Sequence, residues 1–228
     1  QPLMPEDGSM TFEAWIKPNM SEGGDGEVLA MMGIGGWTLS MSCDANGTTG
    51  CCSDAAAKAL AFHIGDNSTK NSSGWYPSCS ATSDTGVERG EWSHVAVRVY
   101  AVGNFLAVDF FIDGDNAGST TNIDGSLNIG SLPSDESSPT LMLGRTNCCN
   151  EEADGYTAER GCFKYFGYMD GVRLWNTNLT DDTIASRSSE LAYPFHPNVD
   201  DLLFEYTFDS APAGAVALDG SLNARHAT

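Results

Sequence analysis

Basic residues are scarce in this 228-residue chain: 11 Lys plus Arg stand against 31 Asp plus Glu, for a formal net charge of −20. A surface of that sign repels phosphate backbones, which argues against nucleic acids and anionic membranes and favours divalent cations or basic partners. For most of these carboxylates solubility is reason enough. No run of about 18 apolar residues is present to cross a bilayer as a helix. The start of the chain has no basic stretch followed by an apolar one, so Gln1 reads as an internal or mature beginning. There is no Gly-x-Ser-x-Gly elbow, and His63, His94, His196 and His226 are scattered, which removes the common nucleophilic triads. His94 lies on an alternating strand, where a packed imidazole is the simpler reading than a catalytic base. The cysteines lack the Cys-x2-Cys spacing of zinc sites.

What the chain has is alternation. From Ser93 to Tyr100, Val95, Val97 and Val99 share one face while His94, Ala96, Arg98 and Tyr100 share the other. From Asn104 to Gly114, Leu106, Val108, Phe110 and Ile112 oppose Phe105, Ala107, Asp109 and Phe111. Two strands joined near Val102-Gly103 and closed by the turn dipeptide Asp113-Gly114 are the result. At 228 residues the chain fits one large all-β domain, since sandwiches run to roughly 200–250 residues as a unit.

Five segments occur in a telling order: Met10-Thr11-Phe12-Glu13-Ala14-Trp15-Ile16-Lys17-Pro18, Trp92-Ser93-His94-Val95-Ala96, Ile112-Asp113-Gly114, Leu141-Met142-Leu143-Gly144, and Phe166 through Asn176. Together they resemble the laminin-G-like jelly-roll domains of the concanavalin A-like lectin/glucanase superfamily. The resemblance implies an all-β, two-sheet antiparallel sandwich over residues 1–228, with long disulfide-bearing loops and one short helix. Leu202 through Asp209 reads as the closing strand, and residues 200–228 close this module or open a following one. The family normally has a strand before the Phe-Glu-Ala-Trp segment, so the sheet is expected to be completed from outside these residues, within a longer multidomain chain.

Loops are expected at 43–57, 66–90, 119–138 and 146–162, from their Ser, Thr, Asn, Gly and acidic content. Thr180 is placed to cap a helix running to about Glu190, with Asp181 and Asp182 at its positive end. All of Cys43, Cys51, Cys52, Cys79, Cys148, Cys149 and Cys162 fall in expected loops and read as disulfides of an oxidising compartment. Adjacent cysteines rarely pair with each other, so Cys148 or Cys149 is expected to pair with Cys162. The odd thiol is either buried or bonded to another chain. Asn19, Asn46, Asn67, Asn71 and Asn178 begin N-glycosylation tripeptides, which points to a secreted or cell-surface glycoprotein.

Calcium suits loops rich in oxygen ligands. The resemblance implies a structural calcium in a loop like Asp219-Gly220-Ser221-Leu222-Asn223, with Asp170 as the acid on a late strand. The superfamily also contains glycoside hydrolases, which need paired carboxylates roughly 5–10 Å apart. No Glu-x-Asp-x-x-Glu strand is present, and Glu13 and Glu205 stand alone on theirs, so a non-enzyme is expected. Two functions stay open, and the odd cysteine, the glycosylation signals and the lack of any chemical constellation favour the first. The first is a structural or adhesive module of a filament, matrix or surface appendage, partnered by other modules or by copies of itself. The second is a calcium-dependent carbohydrate-binding module, with Trp37, Trp75 and Tyr76 stacking on sugar rings.

Overall fold

Alternating apolar side chains drive two antiparallel sheets face to face in the computed structural model, which describes residues 9–20, 27–32, 37–42, 57–65, 78–124, 141–144, 165–188, 198–209 and 219–221. The strands are β1 (Met10–Pro18), β2 (Glu27–Met32), β3 (Trp37–Ser42), β4 (Ala57–Gly65), β5 (Ser78–Glu88), β6 (Ser93–Val102), β7 (Phe105–Ile112), β8 (Asp115–Asp124), β9 (Leu141–Leu143), β10 (Gly167–Trp175) and β11 (Leu202–Tyr206), with one helix, α1 (Asp181–Arg187). One sheet has the order β11-β10-β1-β6-β7-β8 and the other β5-β4-β3-β2-β9. This is the jelly-roll sandwich expected from the sequence.

The inward residues follow the period of two. Phe12, Ala14 and Ile16 of β1, Val95, Val97 and Val99 of β6, and Leu60, Phe62 and Ile64 of β4 are all buried in one core. Asp113 and Gly114 both have positive φ, 54° and 88°, so the β7–β8 hairpin turns as a type I′ loop, as the Asp-Gly pair predicts. The Thr180 hydroxyl caps α1 by accepting from the Thr183 amide, and the helix ends at Arg187 rather than near Glu190.

Two expectations about loops are corrected. β5 occupies most of the second half of the 66–90 tract, and β8 runs into the 119–138 tract. Among the described residues both are edge strands with a partner on one side only. Their inward positions in part carry small or polar side chains such as Ala81, Ser83 and Ala117, so the apolar alternation that marks a strand is faint. Ser83 is fully buried; its hydroxyl accepts from the Leu60 amide and donates to the Thr85 carbonyl, bridging a bulge in the β4–β5 ladder. Cys79 is likewise on a strand and not in a loop, opposite Ile64. The other six cysteines lie outside the described residues.

One irregularity sets the geometry used below. Between Glu13–Arg173 and Trp15–Asp170 the register of β1 with β10 shifts by one residue, and Gly171 there has φ 53°. This is a glycine bulge, in which an extra residue is absorbed in left-handed backbone. It lets Arg173, Asp170 and Tyr168 all share the outer side of the sheet with Glu13, Trp15 and Lys17, while Val172 and Met169 turn toward the core. Gly171→Val is expected to cost about 1–2 kcal/mol from the backbone conformation alone. A lower urea midpoint at unchanged slope is the readout; an unaltered midpoint would show that the bulge tolerates a side chain.

Candidate functional site: the outer face of the six-stranded sheet

The outer face of the six-stranded sheet is divided in two. One half lies under α1, and the other stays open and carries aromatic rings.

The covered half is held by charge. Glu13 on β1 is fully buried, and its Oε1 accepts from Arg187 Nη1 at 2.8 Å and from Trp175 Nε1 at 3.1 Å, with Arg173 Nη1 at 3.4 Å. Its Oε2 lies 3.4 Å from His94 Nε2. Arg173 also donates through Nε to Glu205 Oε1 at 2.8 Å, so two carboxylates meet two guanidiniums out of water. Burial alone would raise the Glu13 carboxyl. The close approach of His94 and the guanidiniums of Arg187 and Arg173 outweigh it and bring the pKa down to about 2. The Arg187 guanidinium also lies 3.8 Å from the centroid of the Trp175 ring.

Around this cluster Ala96, Phe111, Trp175, Leu179, Ile184 and Leu202 form a second small core beneath the helix. Arg98 pins the near end of α1: it bonds Asp109 at 2.6 and 3.0 Å, Asp181 at 2.7 Å and the Leu179 carbonyl at 2.8 Å, between the rings of Tyr100 and Phe111. Glu13 and Glu205, which stand alone in the sequence, are thus partners across strands.

The open half lies where β1, β6 and β10 run beyond the helix. Lys17 pairs with Tyr168, and the Ile16–Ser93 pair sets Trp92 on its other side. The Trp92 and Tyr168 rings converge to 6.4 Å at a 46° tilt, yet are 44% and 70% exposed. Trp15, half-buried, closes the inner border with its ring 5.6 Å from that of His94, edge to face. Asp170 sits beside it, its Oδ1 accepting from the Gly171 amide. Burial and the charge of Asp209 push the Asp170 carboxyl above its usual range, against that hydrogen bond and Arg173. Exposed Met20 and Phe166 extend the rim.

The rim is anchored from beneath. The buried Glu27 receives Lys58 Nζ at 2.9 Å and Arg89 Nη2 at 3.1 Å through Oε1, and the Phe166 amide at 3.2 Å through Oε2. Arg89 Nη1 also donates to the Asn19 carbonyl, whose own amide donates to the Phe166 carbonyl. Both chain segments that carry the open face are therefore tied to one carboxylate.

Trp37, expected as a sugar-stacking ring, is instead a core residue: it is fully buried, 5.8 Å from Phe62 and 6.0 Å from Phe12. Its ring points between the sheets, because its position continues the inward series of Leu39 and Met41. Trp75 and Tyr76 lie outside the described residues. Of the expected calcium ligands, Asp219 is buried and accepts from the Glu205 and Ser221 amides and the Ser221 hydroxyl. It bridges to Tyr206, which pairs on its other side with Val172, so Asp219 and the β10 strand of Asp170 lie about two strand spacings, roughly 10 Å, apart. Asn223 lies outside the described residues, and among those described no group of three or more metal-ligating side chains converges. Asn19 and Asn178 are exposed, whereas Asn46, Asn67 and Asn71 lie outside the described residues.

Two sheets with a short helix laid on one outer face define a lectin-like jelly roll. The chain belongs to the concanavalin A-like lectin/glucanases superfamily, through a laminin-G-like family whose profile matches residues 1–185. It is similar in structure to a putative carbohydrate binding protein from Bacteroides ovatus (17% identity, TM-score 0.61, 97% of this chain and 52% of that one). A SAP-like pentraxin from Limulus polyphemus is similar at 14% identity and TM-score 0.54, over 86% of this chain and 75% of the pentraxin. The enzymatically active domain of bacteriophage CBA120 tailspike protein 2 matches at 18% identity and TM-score 0.51, over 92% of this chain but 28% of that one. At these identities the likeness is one of fold. No curated protein matches the chain in sequence.

Glu13→Gln leaves Arg173 and Arg187 buried without their shared counter-charge and is expected to cost about 3–5 kcal/mol in urea unfolding. The acid limb follows from the same group. With a folded pKa near 2 against an ordinary 4.5, the unfolded chain takes up a proton that the folded chain refuses. The stability contributed by Glu13 is therefore complete above about pH 4.5 and falls away as pH drops toward 2. A wild-type stability that stays flat over that interval would contradict this assignment.

Proposed function

We propose that this domain is a non-catalytic carbohydrate-binding module, and that it binds through the open half of the six-stranded sheet. The observation that carries this is the Trp92–Tyr168 pair, two large rings held together yet exposed on a rigid sheet. Aromatic faces offer sugar rings flat apolar contact, while Lys17 and Asp170 beside them offer a donor and an acceptor for hydroxyl groups. Three strands position the rings, so little ordering is left for binding to accomplish.

The family and the likeness to a putative carbohydrate binding protein support this reading over the structural and adhesive one that the sequence places first. Binding without cleavage is favoured because Glu13 and Glu205, on the same sheet, are consumed in buried ion pairs. The exposed tripeptide asparagines Asn19 and Asn178 support a secreted setting.

A glycan array probed with the full chain, with calcium and with chelator, tests the reading. The wild type should retain a defined set of sugars intact, and Trp92→Ala with Tyr168→Ala should weaken that binding about tenfold or more at unchanged melting temperature. Retention of full affinity by the double variant would move the site elsewhere. Release of shortened sugars would make the domain an enzyme.

A further inference from the structure

We infer that the open aromatic face selects a glycan carrying an isolated acidic sugar, whose carboxylate or sulfate pairs with Lys17 while its ring packs against Trp92 and Tyr168. This rests on the carbohydrate-binding reading above and names its ligand class.

Lys17 is the anomaly that leads there. Lys58, Arg89, Arg98, Arg173 and Arg187 each sit in an ion pair with a carboxylate. Lys17 has no such partner among the described residues, although the chain carries a net charge of −20 and anions are plentiful. An ammonium with no carboxylate partner among the described residues of so acidic a protein is offered to an anion that comes from outside.

Its location supplies the rest. Lys17 is directly opposite Tyr168 across the β1–β10 ladder, where paired side chains stand about 5 Å apart on one face. Trp92 flanks it on the β6 side, and the two rings close to 6.4 Å. A sugar packed against either ring therefore lies beside the strand position that Lys17 occupies. A charged hydrogen bond of this kind is stronger than a neutral one, so an acidic substituent gains where a hydroxyl gains little.

The same charge balance limits the ligand from the other side. With a net charge of −20, a chain dense in negative charge is repelled over its length, whereas a single acidic group at Lys17 is not. One acid on an otherwise neutral glycan satisfies both conditions. The acid can be a carboxylate or a sulfate ester, and the probes below separate them.

The test is the affinity of the full chain for lactose, lactose capped with sialic acid, lactose capped with glucuronic acid, sulfated lactose, and heparin, at low and at physiological salt. At least one singly acidic sugar should bind about tenfold more tightly than lactose, with the advantage shrinking as salt rises. Lys17→Met should bring that ratio down to about one, and Lys17→Arg should keep it. Thermal unfolding checks that both variants stay folded, as expected for a side chain that makes no ion pair among the described residues. A carboxylated or a sulfated probe at the top identifies the source of the anion. Lactose bound as well as any acidic sugar would overturn this inference and leave the carbohydrate reading standing. So would a preference that survives Lys17→Met, or heparin as the best ligand. No binding of any sugar on the array or among these probes would overturn both.

Discussion

The carboxylate of Glu13 is the point on which the outer face of the larger sheet depends. It sits on the central strand β1, and through Arg173, Arg187, Trp175 and His94 it reaches β10, α1 and β6. Replacing this cluster with apolar side chains could stabilise a sheet as well, because burying charge is expensive. What the ions add is geometry. Hydrogen bonds with fixed directions seat a seven-residue helix at one place on the sheet, where shape alone would allow it to slide. Arg98 repeats the device at the start of the helix, with Asp109 and Asp181.

Seating the helix at one end determines what the other end can do. α1 and its small core cover the face around Ala96, Phe111 and Trp175. Beyond it the strands continue, and side chains of the same outward parity meet water. The bulge at Gly171 keeps that parity in β10, so that Tyr168 emerges beside Lys17 and not toward the core. Glu27 then ties Phe166, Arg89 and the end of β1 together from below. A buried scaffold of carboxylate and guanidinium thus presents an open surface of aromatic rings.

Much of the fold was legible because the strands of the centre obey the period of two. Val95, Val97 and Val99, and Leu106, Val108 and Phe110, face the core as read. The Asp113-Gly114 turn and the Thr180 cap were legible for a local reason: each depends on backbone preference within four residues. The edge strands β5 and β8 were not, since strands paired on one side can use Ser, Thr and Gly without losing their place. Trp37 was misassigned for a related reason. The residue type alone offers a ring for a sugar, and only the opposite sheet, with Phe12, shows that this ring has a core to join.

The sequence by itself determined the class of fold, through five ordered segments that resemble a known family, and also the central strands, the hairpin and the helix cap, which rest on residue spacing and on local backbone preference. It also determined the acidic surface that disfavours polyanions, since net charge needs no coordinates. Only the tertiary structure decided that Glu13 and Glu205 are neutralised partners of Arg173, and that Trp92, Lys17 and Tyr168 share one exposed face. Glu13 and Arg173 are 160 residues apart along the chain, and Lys17 and Tyr168 nearly as far. Contacts of that range are created by strand order and register, which no local pattern records.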